Sequence, residues 1–278
     1  MHRLASAVPV LSLVVLSLAA PAGFAQHSSS SLVAPELLSS GGFSAADGAT
    51  TLPVSAPHPG AFSGVGIGVK AGLLGAGVEV ATPLSYHVNL RGGGNFMNYS
   101  DTLTSDGITY NAALRFRSAE ASVDWFPWAK GFHISPGALL YNGNQITGGA
   151  SVPAGKTFTL NGTTYTSSAT DPVTGAGSVT MNKTAPKLTL GWGNLVPRSG
   201  RHFSVPVELG AAYIGDPKVA VTLAGSACYT YEGTPYCGPV ATNPQIQSNL
   251  AAQVQKLNKD AQDARFFPLL SLGFAYRF

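Results

Sequence analysis

The chain has 278 residues and a formal net charge of +3, with 16 Lys and Arg against 13 Asp and Glu. Only 10% of its residues are charged while 45% are apolar and 33 are Gly, whereas ~25% charged is ordinary for a soluble domain. The balanced charge argues against a nucleic-acid partner, which needs clustered Lys and Arg, and no segment beyond the N-terminal region approaches the ~20 apolar residues of a spanning helix.

The N-terminus opens on a short positive start, Met1-His2-Arg3, followed by an apolar run from Ala7 to Ala20 and a small-x-small site at Gly23-Phe24-Ala25. This pattern predicts a secretory signal peptide over residues 1–25. The run is too short to span a membrane, and no Cys follows it to carry a lipid anchor. Cleavage after Ala25 leaves 15 basic and 13 acidic residues. Residues 26–60 are rich in Ser, Ala, Gly and Pro, with Glu36 and Asp47 their only charges, which predicts a flexible tail.

From Phe62 the chain alternates. Val65, Ile67 and Val69 share one strand face with Gly66, Gly68 and Lys70 opposite. The parity slips at Leu73-Leu74-Gly75, so this segment is either one long bent strand or two short ones. Beyond it Val78 and Val80 face out and Glu79 in, and Thr82 to His87 reads as a turn. A hairpin symmetric about Ser85 sets Glu79 opposite Arg91, with Val88, Leu90 and Phe96 outward and Asn95 inward.

A second hairpin pairs Trp125 with Phe132 and Val123 with Ile134 outside, and brings Asp124 to His133 inside. Trp125, Phe126, Trp128 and Phe132 read as part of an interfacial aromatic girdle. A third pairs Leu188, Leu190 and Trp192 with Val207, Val205 and Phe203 across Val196-Pro197-Arg198-Ser199, and sets Lys187 against Glu208. Val219, Val221 and Leu223 read as a further outward row. Between hairpins, the polar stretch 143–183 reads as a long loop with its own small hairpin turning at Asn161-Gly162.

Cys228 and Cys237 enclose eight residues without a nearby His or third Cys. In an oxidising compartment this predicts a loop-closing disulfide, not a metal site. Residues 243–262 switch to helical spacing, with Asn243-Pro244 as cap and start and Ile246, Leu250, Val254, Leu257 and Ala261 on one face. The helix is expected on or inside the main fold; docking to a partner or to a membrane surface is the other reading.

The last strand alternates Leu270, Leu272, Phe274, Tyr276 and Phe278 with Ser271, Gly273, Ala275 and Arg277. This tail resembles the closing strand of bacterial outer-membrane barrels, and the resemblance implies that Phe278 is recognised by the barrel-assembly machinery. The segment Val69 to Val80 together with Asn89 to Phe96 is similar to the opening strands of small OmpA-type outer-membrane barrels. The resemblance covers about residues 61–278 and speaks to architecture far more than to activity.

The expected fold is therefore all-β: an up-and-down antiparallel transmembrane β-barrel of eight strands, within a range of eight to ten, occupying 61–278, with one short helix before the last strand. Its surroundings are outer-membrane lipid. An even strand count conflicts with sidedness, because it sets the turns at 83–87 and 126–131 outside and the long stretch inside. One strand miscounted near 72–76 removes the conflict.

Inward charges are expected at Lys70, Glu79, Arg91, Arg115 or Arg117, Glu120, Asp124, Lys187, Glu208 and Arg277. An eight-stranded barrel is filled by its own side chains, so Glu79, Arg91, Asp124, His133, Lys187 and Glu208 are assigned to structural ion pairs. The expected role is structural or surface interaction around a packed polar lumen. A small-molecule pore is the alternative function, and a secreted β-sandwich the alternative architecture.

His133-x-Ser135 and His202-x-Ser204 are similar to the catalytic pair of outer-membrane lipid A deacylases, which implies a lipid-acting esterase. The motif is short, occurs twice, lacks the family's downstream Glu and points toward the lumen. No catalytic residue, cofactor or metal is assigned, and oligomeric state is left open.

Overall fold

Alternation becomes hydrogen-bonded strand pairing in the computed structural model, which describes residues 60–128, 130–199 and 201–278. The expected signal peptide and, apart from Gly60, the expected tail lie outside the described residues. Strands β1 (Gly66–Gly72), β2 (Gly75–Ser85), β3 (Val88–Ser105), β4 (Ile108–Trp125) and β5 (Phe132–Asn142) run up and down, each antiparallel to the one before. Four short strands follow: β6 (Gln145–Ser151), β7 (Thr157–Leu160), β8 (Thr163–Ser167) and β9 (Thr174–Thr180). β10 (Ala185–Trp192) pairs with β5, and after the two-residue β11 (Phe203–Ser204), β12 (Val207–Tyr213) pairs with β10. β13 (Lys218–Ala224), β14 (Ser226–Tyr231), β15 (Thr234–Pro239) and helix α1 (Pro244–Ala261) precede the last strand, β16 (Phe266–Arg277). β16 pairs with β12 on one side and β1 on the other, so β1–β5, β10, β12 and β16 close an eight-stranded antiparallel barrel.

The parity slip at Leu73-Leu74 is a tight turn between two strands, with Gly72 opposite Gly75. Gly75 has φ +94°, and a Cβ there would collide with the Phe96 carbonyl. This extra strand resolves the sidedness conflict. The turns after β2 and β4 lie at the lower end, where β1 begins and β16 ends, and both long excursions leave from the upper end. β2 continues to Ser85, so the expected turn at 82–87 narrows to Tyr86-His87.

Outward positions carry an apolar belt: Val69, Val78, Val80, Leu188, Leu190, Leu209, Leu270, Leu272 and Phe274 are all exposed. Aromatic side chains rim it at both ends, with Trp125, Trp192, Phe203 and Tyr276 below and Phe96, Tyr141, Tyr213 and Phe266 above. From Phe266 to Tyr276, β16 covers about 33 Å of strand at ~3.3 Å per residue, or roughly 25 Å of height at a ~40° tilt.

Above the belt, β3 and β4 continue as a ribbon turning at Asp106-Gly107. β6, β9 and β13 extend the sheet outward from the upper half of β4. A second sheet, in the order β15-β14-β8-β7, lies in the same upper unit. Its core joins Val152, Tyr165, Val173, Ala227, Val240 and Ile246. The Asn161-Gly162 turn between β7 and β8 has both residues at positive φ, as a type I′ hairpin requires.

Asn243 caps α1, accepting from the N–H groups of Gln245 at 3.0 Å and Ile246 at 3.2 Å. The helix packs on β13 and β7 of this upper unit rather than on or inside the barrel wall. Asn258 accepts from Val219 N–H at 2.9 Å and donates to Val219 O at 3.0 Å, covering the free edge of β13. Val219, Val221 and Leu223 are accordingly half-buried residues of the upper unit, not part of the belt, because β13 pairs with β9 and not with a barrel strand.

Candidate functional site

Inward parity gathers eight ionisable side chains in the middle of the lumen: Lys70, Glu79, Arg91, Glu120, Asp124, His133, Lys187 and Glu208. They come from seven of the eight barrel strands, and none of these side chains is more than 8% exposed. Lys70 lies 3.3 Å from Glu79 and also contacts Glu120, whose other oxygen is held by Lys187 at 2.5 Å. Arg91 reaches Glu79 at 3.3 Å and Asp124 at 3.0 Å, and contacts Glu208. His133 Nε2 lies 3.3 Å from the same Glu208 carboxylate.

Removing such ions from water costs several kcal/mol each and is offset only when every charge is paired. Three cations, Lys70, Arg91 and Lys187, are set among four carboxylates, and the His133 imidazole lies against the Glu208 carboxylate. Gly191 is directly opposite His133 in the strand register, where a Cβ would collide with the imidazole ring. The ring fits into the space that glycine leaves.

The partners differ from those the hairpin symmetries predicted. Arg91 does reach Glu79, but diagonally, because Glu79 is opposite Gly93. Asp124 takes Arg91 and the Ser135 hydroxyl, which donates at 2.7 Å, instead of His133. Lys187 takes Glu120 instead of Glu208. Arg115 and Arg117 are corrected outright: Phe116, Ser118 and Glu120 occupy the inward positions of β4, so both arginines are exposed on the outer wall.

Buried clusters lie on both sides of this network. Above the network, Leu74, Phe116, Leu139 and Leu269 form an apolar layer with Met97 and Phe267, in which Phe116 meets Phe267 edge to face at 5.8 Å. Below it, the connection after β10 turns back into the barrel and buries Leu195 and Val196 against Ala81 and Ala275. A Cβ at Gly66 would strike the Leu195 carbonyl. Asn89 donates to Asn194 at 2.8 Å, and Asn194 accepts from Val196 N–H at 2.9 Å.

Arg198 stands over the Phe126 ring at 4.8 Å and the Tyr86 ring at 5.6 Å and donates to Asn89 at 3.1 Å. Burial among these groups pulls its pKa below the ordinary arginine value. This plug was missed in the sequence, where 196–199 reads as a tight turn; the one available signal is the apolar pair Leu195-Val196 inside a loop. A cavity of about 30 Å³ lies among Lys70, Leu74, Asn95, Glu120, Lys187 and Leu269. That is room for about two waters, far below the ~300 Å³ of a small-molecule site.

The His-x-Ser pairs do not align a nucleophile. Ser135 donates its hydroxyl hydrogen bond to Asp124, while His133 faces Glu208 through Nε2 and the Gly131 carbonyl through Nδ1 at 3.1 Å. His202 Nδ1 lies 3.0 Å from the Arg277 carbonyl, and the buried Ser204 hydroxyl has no hydrogen-bond partner among the described residues. Cys228 and Cys237 are opposite each other on β14 and β15 and are joined as a disulfide. Among the described residues no group of His, Cys, Asp or Glu is arranged to hold a metal ion.

Closure, inward polarity and an outward apolar belt define the class: a small outer-membrane-type β-barrel. Two crystal structures share this fold. Acinetobacter baumannii CarO is 23% identical with a TM-score of 0.52, covering 77% of this chain and 97% of that one. A. baumannii CarO2 is 22% identical with a TM-score of 0.52, covering 77% and 98%. The likeness is one of fold and does not single out the OmpA type. No protein-family model matches the chain, and comparison with curated proteins finds no match.

Proposed function

We propose that this protein is an outer-membrane β-barrel with a sealed lumen, an anchor that holds its upper unit at the cell surface in a structural or surface-interaction role. The observation that carries this reading is the eight-residue ionic network with an apolar layer above and a folded-in loop below. A solute path would have to break charge pairs whose loss leaves buried ions uncompensated. The belt, about as tall as a bilayer's hydrocarbon region and aromatic at both rims, supports lipid as its surroundings. Phe278 donates its N–H to Val65 at 2.9 Å, seating the end of β16 on the start of β1; its exposed ring is the group offered to the assembly machinery.

Membrane fractionation and heat-modifiable gel migration test the barrel, and swelling of proteoliposomes in neutral sugars tests the seal. The expected result is a heat-shifted outer-membrane protein whose vesicles swell no faster than empty ones. Swelling at the rate of a small porin overturns the sealed lumen, and a soluble, unshifted species overturns the barrel.

A further inference from the structure

Arg115 and Arg117 stand on the outer wall, apart from the lumen network. Of all charged residues on the eight barrel strands, only Arg115 and Arg117 fall at outward positions; the others fall at inward parity. Both are exposed, and neither guanidinium has an ion-pair or hydrogen-bond partner among the described residues. The carboxylates of β3 and β4, Asp101, Glu120 and Asp124, all have the opposite parity. The pair is also placed at a particular height. Arg117 is opposite Phe96, and the next outward residue of β4, Ala119, is opposite Tyr141. Phe96 and Tyr141 are 63% and 54% exposed and belong to the upper aromatic rim.

We propose that Arg115 and Arg117 form a clamp for the phosphate of a phosphorylated glycolipid headgroup in the outer leaflet. This rests on the outer-membrane reading above. An arginine facing lipid costs ~2–4 kcal/mol at the bilayer midplane but only ~0–1 near the interface, so this height is where outward arginines are tolerated. Residues i and i+2 of a strand are roughly 7 Å apart, close enough for two guanidinium forks to converge on one phosphate. Such contacts are bidentate and charge-assisted. Continuity with the aromatic rim and the apolar belt favours a lipid over a soluble anion, because acyl chains have a wall to lie along.

The test is titration of the folded protein in detergent with phosphorylated lipid A and with its dephosphorylated form. Binding is expected for the phosphorylated lipid, about tenfold weaker in the R115Q/R117Q double variant, partly retained in R115K/R117K, and unchanged in R265Q. Equal affinity of wild type and R115Q/R117Q overturns the clamp, as does equal binding of the dephosphorylated lipid. Inorganic phosphate competing as well as the lipid assigns a free-anion site and overturns the lipid assignment. Fractionation and heat-modifiable migration of the same samples separate the two claims. If these fail, the outer-membrane reading falls and the clamp with it; if they hold while lipid discrimination is absent, only the clamp falls.

Discussion

Arg91 touches carboxylates from three other strands, Glu79 on β2, Asp124 on β4 and Glu208 on β12. Truncating it leaves those charges buried together without their common partner. Arg91→Ala is expected to destabilise the barrel by ~3–5 kcal/mol, read as a lower midpoint for loss of the fast-migrating folded band in urea. Arg265→Gln, which breaks an exposed pair with Asp216, is expected to change it by less than ~1 kcal/mol. Equal effects of the two variants would refute a cooperative network. A steric prediction sits beside the electrostatic one. Gly191→Ala pushes a methyl group against the His133 ring, an overpacking expected to cost ~1–3 kcal/mol; an unchanged urea midpoint would show that the ring does not depend on the space at 191.

At the scale of elements, face was legible in the sequence and partner was not. Trp125 was expected opposite Phe132 and is opposite Ile134, and Leu190 was expected opposite Val205 and is opposite Leu209. Glu79 likewise moves from Arg91 to Gly93. Each of these shifts is an even number of residues, so these side chains kept their faces while changing neighbours; Arg115 and Arg117, expected inward, and Phe126, expected in the outer girdle and found buried, did not. Alternation encodes face, but register depends on how many residues a turn consumes, and the loop after β10 consumes many because it folds into the barrel. Turn chemistry was readable where Asn161-Gly162 demanded it and left open at Leu73-Leu74-Gly75, where the parity slip fits one bent strand as well as two short strands. The Cys228–Cys237 bridge belongs to this scale too, since it ties β14 to β15 alone. Replacing both cysteines by Ser is expected to loosen that hairpin by ~2–3 kcal/mol, exposing it to protease while heat-modifiable migration is retained. Loss of the heat shift would show that the upper unit and the barrel are not separable in this way.

For the molecule as a whole, the upper unit rises from the end opposite to the one where β1 begins and β16 ends, and beneath it lie the buried ionic network and the two buried clusters. Composition pointed to an exported barrel through low charge, abundant Gly and short alternating runs. A packed polar lumen was expected from the strand count and inward charges, but the loop that buries Leu195 and Val196 was not, because only register and chain folding bring those residues against Ala81 and Ala275. Single-channel recording in a planar bilayer tests the sealed lumen most directly. Insertion of the folded protein, verified by its heat-shifted migration, is expected to give no discrete current steps above the bare bilayer. Reproducible unitary steps from the wild-type protein would contradict it.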